Sequence, residues 1–376
     1  ELIPEWKTKN SPLKTQATDD KFLYLTENKS YQLPTPPQMH NKGNYIISLS
    51  DFTKWLAQQA EELEVEIYPG FSASEVLYDE NNKVVGIATC DMGRLKDGSE
   101  GPNFERGIEL RAKQTVFSEG CRGHLGKTLM EKFELNSNNS PQTYGIGIKE
   151  LWEVTPENSK PGSIMHTTGW PLDNETYGGS FLYHLDDNKI SIGFVIGLDY
   201  KNPYLSPYLE FQRFKHHPAI KKLLEGGRRI NYGARALNEG GVQSLPKLTF
   251  PGGMLVGCEA GFLNVPKIKG THLAMKSGMI AAQSIFENID KHDEISDFQT
   301  DIKQSWLWNE LYKVRNIRPS FKWGFWKAIA YSAIDTYIFR GNAPWTIDHH
   351  GTDHESLGNK DNYKAVSYTH LRAHET

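Results

Sequence analysis

Residues 252–282, GGMLVGCEAGFLNVPKIKGTHLAMKSGMIAA, constrain the fold more than any other stretch of this chain. Residues 253–257 read as a strand, the segment carrying Gly257 and Gly261 as a glycine loop, and residues 271–289 as a helix opening at Gly270-Thr271-His272. A helix N-terminus presents unpaired N–H groups and a partial positive charge, which favours phosphate or an electron-rich ring. Glycines let backbone approach such a ligand closely. Ala274, Ser277, Gly278, Ala281 and Ala282 are small enough to seat the helix tightly on a sheet. An ordinary strand–loop–helix connection has the same pattern, so this stretch alone leaves both readings open.

A second glycine loop, Ser118-Glu119-Gly120-Cys121-Arg122-Gly123-His124, also follows a strand pattern. Singly it is a weak signal. Two such loops suit a flavoprotein, where several strand ends grip one FAD. Tyr177-Gly178-Gly179 precedes an alternating apolar hairpin, and its amides could donate to a carbonyl ligand; a plain turn is the default. Cys121 and Cys258 read as small packed side chains rather than nucleophiles. His216-His217 and the group His349, His350, Asp353 and His354 have some metal-like spacing, but they lie beside proline or in a polar tail, so no metal site is expected. No G-x-S-x-G, H-E-x-x-H, P-loop or complete G-x-G-x-x-G occurs.

Composition removes other classes. With 42 Lys+Arg against 46 Asp+Glu the net charge is −4, which argues against a nucleic-acid partner. Three cysteines, Cys90, Cys121 and Cys258, are too few and too scattered for a disulfide scaffold, and point to a reducing compartment. No run of about 18 uncharged apolar residues occurs, so no membrane-spanning helix is expected.

Along the chain, residues 1–44 are polar and proline-dotted, and read as loop with one short edge strand. Residues 45–49 read as a strand, with Ser50 capping a helix that carries Phe52, Trp55, Leu56 and Leu63 on one face. Residues 65–68 read as a further strand, 74–78 and 84–89 as a hairpin, 93–107 as an exposed loop, and 108–112 and 114–117 as continuing strands. Residues 45–125 therefore have an α/β layer pattern. From 144 to 200 the pattern becomes antiparallel, with a hairpin at 180–185 and 190–196, then a helix at 207–225. In residues 303–340, Trp326, Ile329, Ala330, Ala333, Ile334, Tyr337 and Ile338 share one helical face between basic residues. That suits an interfacial helix and a core-packing helix equally.

Nine ordered runs carry a resemblance to one family: ERGIELRAK (105–113), PQTYGIGIKELW (141–152), GWPLDNETYGGSFLYHL (169–185), GLDYKNPYLSPY (197–208), EFQRFKHHPAI (210–220), YGARALNEGG (232–241), PKLTFPGG (246–253), GFLNVPKIKGTH (261–272) and VRNIRPS (314–320). Across about residues 1–362 the chain resembles the electron transfer flavoprotein–ubiquinone oxidoreductases. The resemblance implies a mixed α/β (α+β), FAD-binding hydroxylase-like fold with an interleaved antiparallel quinone domain and a C-terminal amphipathic helical segment. It implies FAD, electron transfer flavoprotein as donor, ubiquinone as acceptor, and a monotopic seat on the matrix side of the mitochondrial inner membrane. Residues 1–44 would be a quinone-domain edge, 45–143 part of the FAD domain, 144–247 the ubiquinone domain, 248–292 the returning FAD segment and 293–345 the membrane-association segment. Residues 346–365 would begin a ferredoxin-like domain.

By the same resemblance Gly178 and Gly179 would line the ubiquinone site. Gly120, Gly123, Gly257, Gly261, Asn264, Val265, Pro266, Gly270 and Thr271 would surround the flavin, with the Thr271 hydroxyl tuning its potential. No acid–base catalytic residue is needed. Three departures stand out. The family's G-x-G-x-x-G and the cysteines of its [4Fe–4S] cluster are not in this chain, and are expected upstream of Glu1 and downstream of residue 365, so the chain reads as an inactive or weakly FAD-binding fragment of a longer parent. Residues 366–376 read as translated cloning sequence. Gly257-Cys258 stands where many flavoproteins of the wider fold carry Gly-Asp. Two alternatives accompany this reading: an NAD(P)H-using flavin monooxygenase or prenyl reductase of the same fold, and a non-catalytic membrane-surface protein.

Overall fold

A computed structural model describes residues 1–349 and 351–363. His350, Ala365 and the 366–376 segment discussed above lie outside the described residues. The strands are β1 (Thr15–Gln16), β2 (Asp19–Leu25), β3 (Ser30–Leu33), β4 (Tyr45–Ile46), β5 (Ala73–Tyr78), β6 (Val84–Thr89), β7 (Met92–Arg94), β8 (Glu100–Glu105), β9 (Glu109–Arg111), β10 (Thr115–Phe117), β11 (Tyr144–Glu153), β12 (Ser163–Gly169), β13 (Gly178–His184), β14 (Lys189–Gly197), β15 (Arg228–Asn238), β16 (Thr249–Phe250) and β17 (Gly253–Leu255). The helices are α1 (Leu49–Glu61), α2 (His124–Lys132), α3 (Pro207–His216), α4 (Pro218–Leu224), α5 (Gly257–Ala260), α6 (Thr271–Asn288), α7 (Asp297–Gln304), α8 (Trp306–Lys313), α9 (Ile317–Ser320) and α10 (Phe325–Ala333), which runs on as a π-turn over Ile334–Ile338. The class is mixed α/β. The chain forms two compact units, one from residues 1–65, 142–239 and 316 onward, the other from 66–141 and 240–315.

The first unit is built on a seven-stranded sheet in the order β15-β11-β14-β13-β12-β2-β3, antiparallel except where β2 runs parallel to β12. The β13–β14 hairpin forms as its sequence suggests. Asp187 and Asn188 take φ of +55° and +54° at the turn, left-handed positions that short polar side chains tolerate. Alternate β14 residues Ile190, Ile192, Phe194 and Ile196 are buried, and Phe194 stacks on Phe211 and Phe214 of α3 at centroid distances of 6.2 and 5.3 Å. The helix expected over 207–225 is two. Pro218 has no N–H to continue α3, and the His217 side chain accepts from Ala219 N (3.2 Å) to start α4. β2 is not an edge strand in a loop region. It pairs with β12 from Asp19↔Ser163 to Leu25↔Gly169, with Leu23 and Leu25 buried. Ser48, not Ser50, caps α1 by accepting from Asp51 N.

Residues 45–65, grouped above with 45–143, fall in this first unit. β4 pairs with β1, and Trp55 Nε1 donates to Lys9 O at 2.7 Å. Residues 65–68 form no strand; Val65, Ile67 and Tyr68 are exposed. Residues 93–107, expected as loop, contain the β7–β8 hairpin.

The second unit holds three small sheets, β10-β17-β16, β5-β6-β9 and the β7-β8 hairpin. β10 and β17 are parallel, Thr115↔Gly253 through Phe117↔Leu255, so both release their following loops at the same end of the sheet. Phe117, Leu129, Phe250, Met254, Phe262 and Leu273 share one core with Phe298, Ile302, Leu307 and Leu311 of α7 and α8. Those two helices, assigned above to a membrane segment beginning at 293, pack in this core.

Candidate functional site

In the second unit, the residues expected around a flavin follow β10 and β17: Gly120 and Gly123 after β10, and Gly257 through Gly270 after β17, with Thr271 opening α6. Gly120 has φ +97° and open space where a side chain would stand. Gly123, by contrast, is filled: a β-carbon there would run into the carboxylates of Glu259 and Glu119. The Gly257 amide donates to Ser277 Oγ at 2.9 Å, so the loop is tied to α6 where the small-residue stripe lets it approach. Gly261, φ +94°, ends α5 in the left-handed conformation. Val265 and the turn through Pro266 lead to Gly270, which begins α6 without a side-chain cap and with no acidic residue in the first turn. Thr271 is exposed at that end. The uncapped start of an 18-residue helix, with no acidic residue in its first turn, fits the electron-rich part of a flavin.

Glu310 of α8 organises the loop, and nothing local in the sequence marks it. Its carboxylate accepts from Asn264 Nδ2 (3.0 Å), Lys267 Nζ (2.8 Å) and His272 Nε2 (2.7 Å). Asn264 also accepts from Lys267 N at 3.0 Å, and His272 stacks on Trp306, one turn before Glu310. Burial opposes charge on Glu310, but the bonds from His272 and Lys267 outweigh it and hold the carboxyl at about 2. Nearby Glu259 is pushed up to about 7, first by burial and then by the Glu119 carboxylate.

In the first unit, Gly178 and Gly179 open β13. They pair with Ile196 and Val195 of β14, where the β12 ladder has already ended at Thr167↔Ser180. A β-carbon on Gly178 would collide with Val195 O, and one on Gly179 would lie 2.7 Å from Thr167 O, so close strand approach requires both glycines. The preceding Tyr177 ring lies against Arg318, 4.0 Å from centroid to guanidinium carbon. Arg318 donates from Nε to Glu239 (2.8 Å) and from Nη2 to Asp199 (2.8 Å). Burial raises the Glu239 carboxyl although Arg318 acts against that. Asp353 accepts from Thr143 Oγ1 and from Tyr144 N, the latter at 2.8 Å.

The amphipathic segment also lies in the first unit. Trp326, Ile334, Tyr337 and Ile338 are 56%, 43%, 61% and 71% exposed, whereas Ala328 is buried. Trp345 Nε1 donates to Tyr331 Oη (2.8 Å), and Trp323 packs edge-on against Tyr331, joining two more exposed tryptophans. No helix among the described residues is long and apolar enough to cross a membrane. His217 is spent on capping α4 and on Thr26 O, and His354 Nδ1 meets Thr352 Oγ1. The described residues contain no group of three His, Cys, Asp or Glu that could hold a metal ion.

Residues 144–237 match the family model described as ETF-QO, ubiquinone-binding. The mitochondrial electron transfer flavoprotein–ubiquinone oxidoreductase of Dictyostelium discoideum is 52% identical over 98% of this chain and 63% of its own length; the Homo sapiens protein of that name is 54% identical over 95% and 60%. The chain is a relative of the electron transfer flavoprotein–ubiquinone oxidoreductases. It spans about three-fifths of the length of the curated relatives it matches. Among solved structures, a geranylgeranyl bacteriochlorophyll reductase-like protein from Thermoplasma acidophilum superposes with TM-score 0.62 at 17% identity, covering 89% of this chain and 84% of that one. A flavin-dependent brominase superposes with TM-score 0.57 at 16% identity, covering 99% and 84%. At those identities the likeness is one of fold.

Proposed function

We propose that the protein carrying this chain takes electrons from reduced electron transfer flavoprotein and delivers them to ubiquinone at the matrix face of the mitochondrial inner membrane. The observation that carries this reading is identity above 50% across nearly the whole chain to proteins bearing that name. FAD is the resident cofactor in this reading, and when bound it accepts and releases the electrons. The second unit would supply its seat: the backbone at Gly120 leaves open space, Gly261 turns the chain after α5 in the left-handed conformation, and the uncapped start of α6, with the exposed Thr271 hydroxyl, would favour an electron-rich group. Glu310 fixes the loop through Asn264, Lys267 and His272. The described residues offer no ligand set for a [4Fe–4S] cluster.

Ubiquinone is taken up in the first unit, within residues 144–237, with the start of β13 meeting a quinone carbonyl. The exposed aromatic face of α10 rests on the lipid that holds the apolar quinone. The direct test uses the full-length FAD-loaded protein with reduced electron transfer flavoprotein and a short-tail ubiquinone. Quinone reduction is expected. Flavin reduction by NADPH but not by the flavoprotein donor would move the protein to the reductase or monooxygenase reading, and no flavin at all to a non-catalytic one. Gly178→Val should abolish quinone reduction while donor-driven flavin reduction persists, because the added carbons displace the β13 end at Val195 O. Equal loss of both steps would count against a quinone site there.

A further inference from the structure

The first unit contains a buried charged cluster that the electron-transfer reading leaves without a task. Arg318 is 5% exposed and Glu239 2%. A buried charge costs several kcal/mol unless it is paired, and breaking such a pair is costly. Arg318 is paired twice, its planar fork reaching Glu239 from Nε and Asp199 from Nη2, each at 2.8 Å. The backbone leaves space for this arrangement. A β-carbon on Gly197 would lie 2.6 Å from Asp199 Oδ1 and 2.8 Å from Arg318 Nη2, and one on Gly145 would meet the Glu239 carboxylate.

The cluster bears on one place. The Arg318 guanidinium stacks on Tyr177, and Phe321 packs edge-on against the same ring at 4.8 Å. Tyr177 O accepts from Gly197 N at 2.9 Å, closing the strand end on which Asp199 follows two residues later. Tyr177 is the residue immediately before Gly178-Gly179. A glycine pair has no side chain of its own to hold it, so its backbone is placed by its pairing with β14 on one side and by the residue that precedes it. Four residues beyond Phe321, Phe325 N donates to Asn174 O at 2.8 Å, so the same segment also ties down the loop that leads into Tyr177.

We propose that Arg318 is a positioning residue for quinone binding: held by Glu239 and Asp199 and stacked on Tyr177, it fixes the Tyr177–Gly178–Gly179 entry to β13 so that its backbone meets a quinone carbonyl. The proposal rests on the reading of Gly178 and Gly179 as the quinone contact. Lysine cannot replace arginine here, since an ammonium lacks both the fork and the flat face. The effect is on the head group and is independent of how the quinone is delivered.

The test uses full-length holoenzyme carrying Arg318→Lys and, separately, Tyr177→Leu, which keeps both ion pairs and removes only the stacked ring. Initial rates are measured with a short-tail, water-soluble ubiquinone and with a long-tail one in vesicles. Losing one well-placed hydrogen bond to the head group raises KM about tenfold. That rise is expected for both quinones and both variants, with kcat and donor-driven flavin reduction little changed. A rise confined to the long-tail quinone would overturn the proposal, since it marks a loosened membrane seat instead. Unchanged KM for both would overturn it as well. A short-tail azidoquinone photolabel on the unmutated enzyme separates the two failures. Label outside residues 172–181 refutes the quinone contact itself, whereas label within them beside unchanged KM values refutes only the role of Arg318.

Discussion

Replacing Trp326 and Ile334 by aspartate in the full-length protein should detach it from membranes without loss of flavin. Burying a fully exposed side chain of this kind is worth roughly 1.5–3 kcal/mol. Trp326 and Ile334 are already partly covered, at 56% and 43% exposed. Their free surface therefore contributes about 1 kcal/mol each on entering the interface. A carboxylate held at the headgroup boundary costs roughly another 0.5–1 kcal/mol per site. Together the change weakens partitioning by about 3–4 kcal/mol, a factor of ~10² or more. The assay is co-sedimentation with phosphatidylcholine–cardiolipin vesicles, with flavin absorbance read on the same fractions. The conservative pair Trp326→Phe and Ile334→Leu should stay with the vesicles. Undiminished sedimentation of the aspartate double variant would refute the argument, and would leave Tyr337 and Ile338 as exposed residues with no lipid to meet.

Two further outcomes concern the second unit. Glu310→Ala removes the common acceptor of Asn264, Lys267 and His272; the full-length protein should lose roughly 2–3 kcal/mol of stability by denaturant midpoint and release FAD faster, with Glu310→Gln intermediate. Release at the unmutated rate would mean that this carboxylate does not hold the loop. Glu259, raised from 4.5 to about 7 in the fold, should cost stability increasingly as pH climbs through that window, because the unfolded chain ionises it first. Glu259→Gln should therefore stabilise the protein above about pH 7 and change little below about pH 4.5. Parallel stability curves across that range would contradict this.

Elements set by neighbouring residues were legible in the chain. The 180–196 hairpin announced itself by apolar runs around Asp186–Asn188, and the helix expected over 271–289 is Thr271–Asn288. β2 was hidden because its sequence opens with Asp19-Asp20-Lys21, and the β12 partner that makes it an interior strand lies over a hundred residues away, although its other partner β3 follows directly. Residues 65–68 have strand-like chemistry but no partner strand among the described residues, so propensity alone did not make a strand. The glycine loops were readable as close-approach positions. Their supports were not: Glu310 reaches Asn264 across 46 residues, and Arg318 reaches Asp199 across 119. No helical or strand period can reveal such pairs. Arg318 lies in the helical turn Ile317–Ser320, whose four residues are all buried, a fact that the fold reveals and the local sequence does not.

The parallel seam between β2 and β12 sets a schedule for making the protein. A ribosome that has released residues 1–65 has produced one margin of a sheet whose neighbours are not yet translated. The next segment belongs to the other unit, which in turn waits for residues 240–315. Contacts this far apart along the chain slow folding, because loop-closure entropy is spent before they form. During synthesis the apolar side chains of β2, Leu23 and Leu25 among them, have only the short strand β3 beside them until Ser163–Gly169 emerges. Strand order therefore predicts a need for chaperones and a sensitivity to early termination, and a nascent chain halted before β12 should be degraded rather than accumulate.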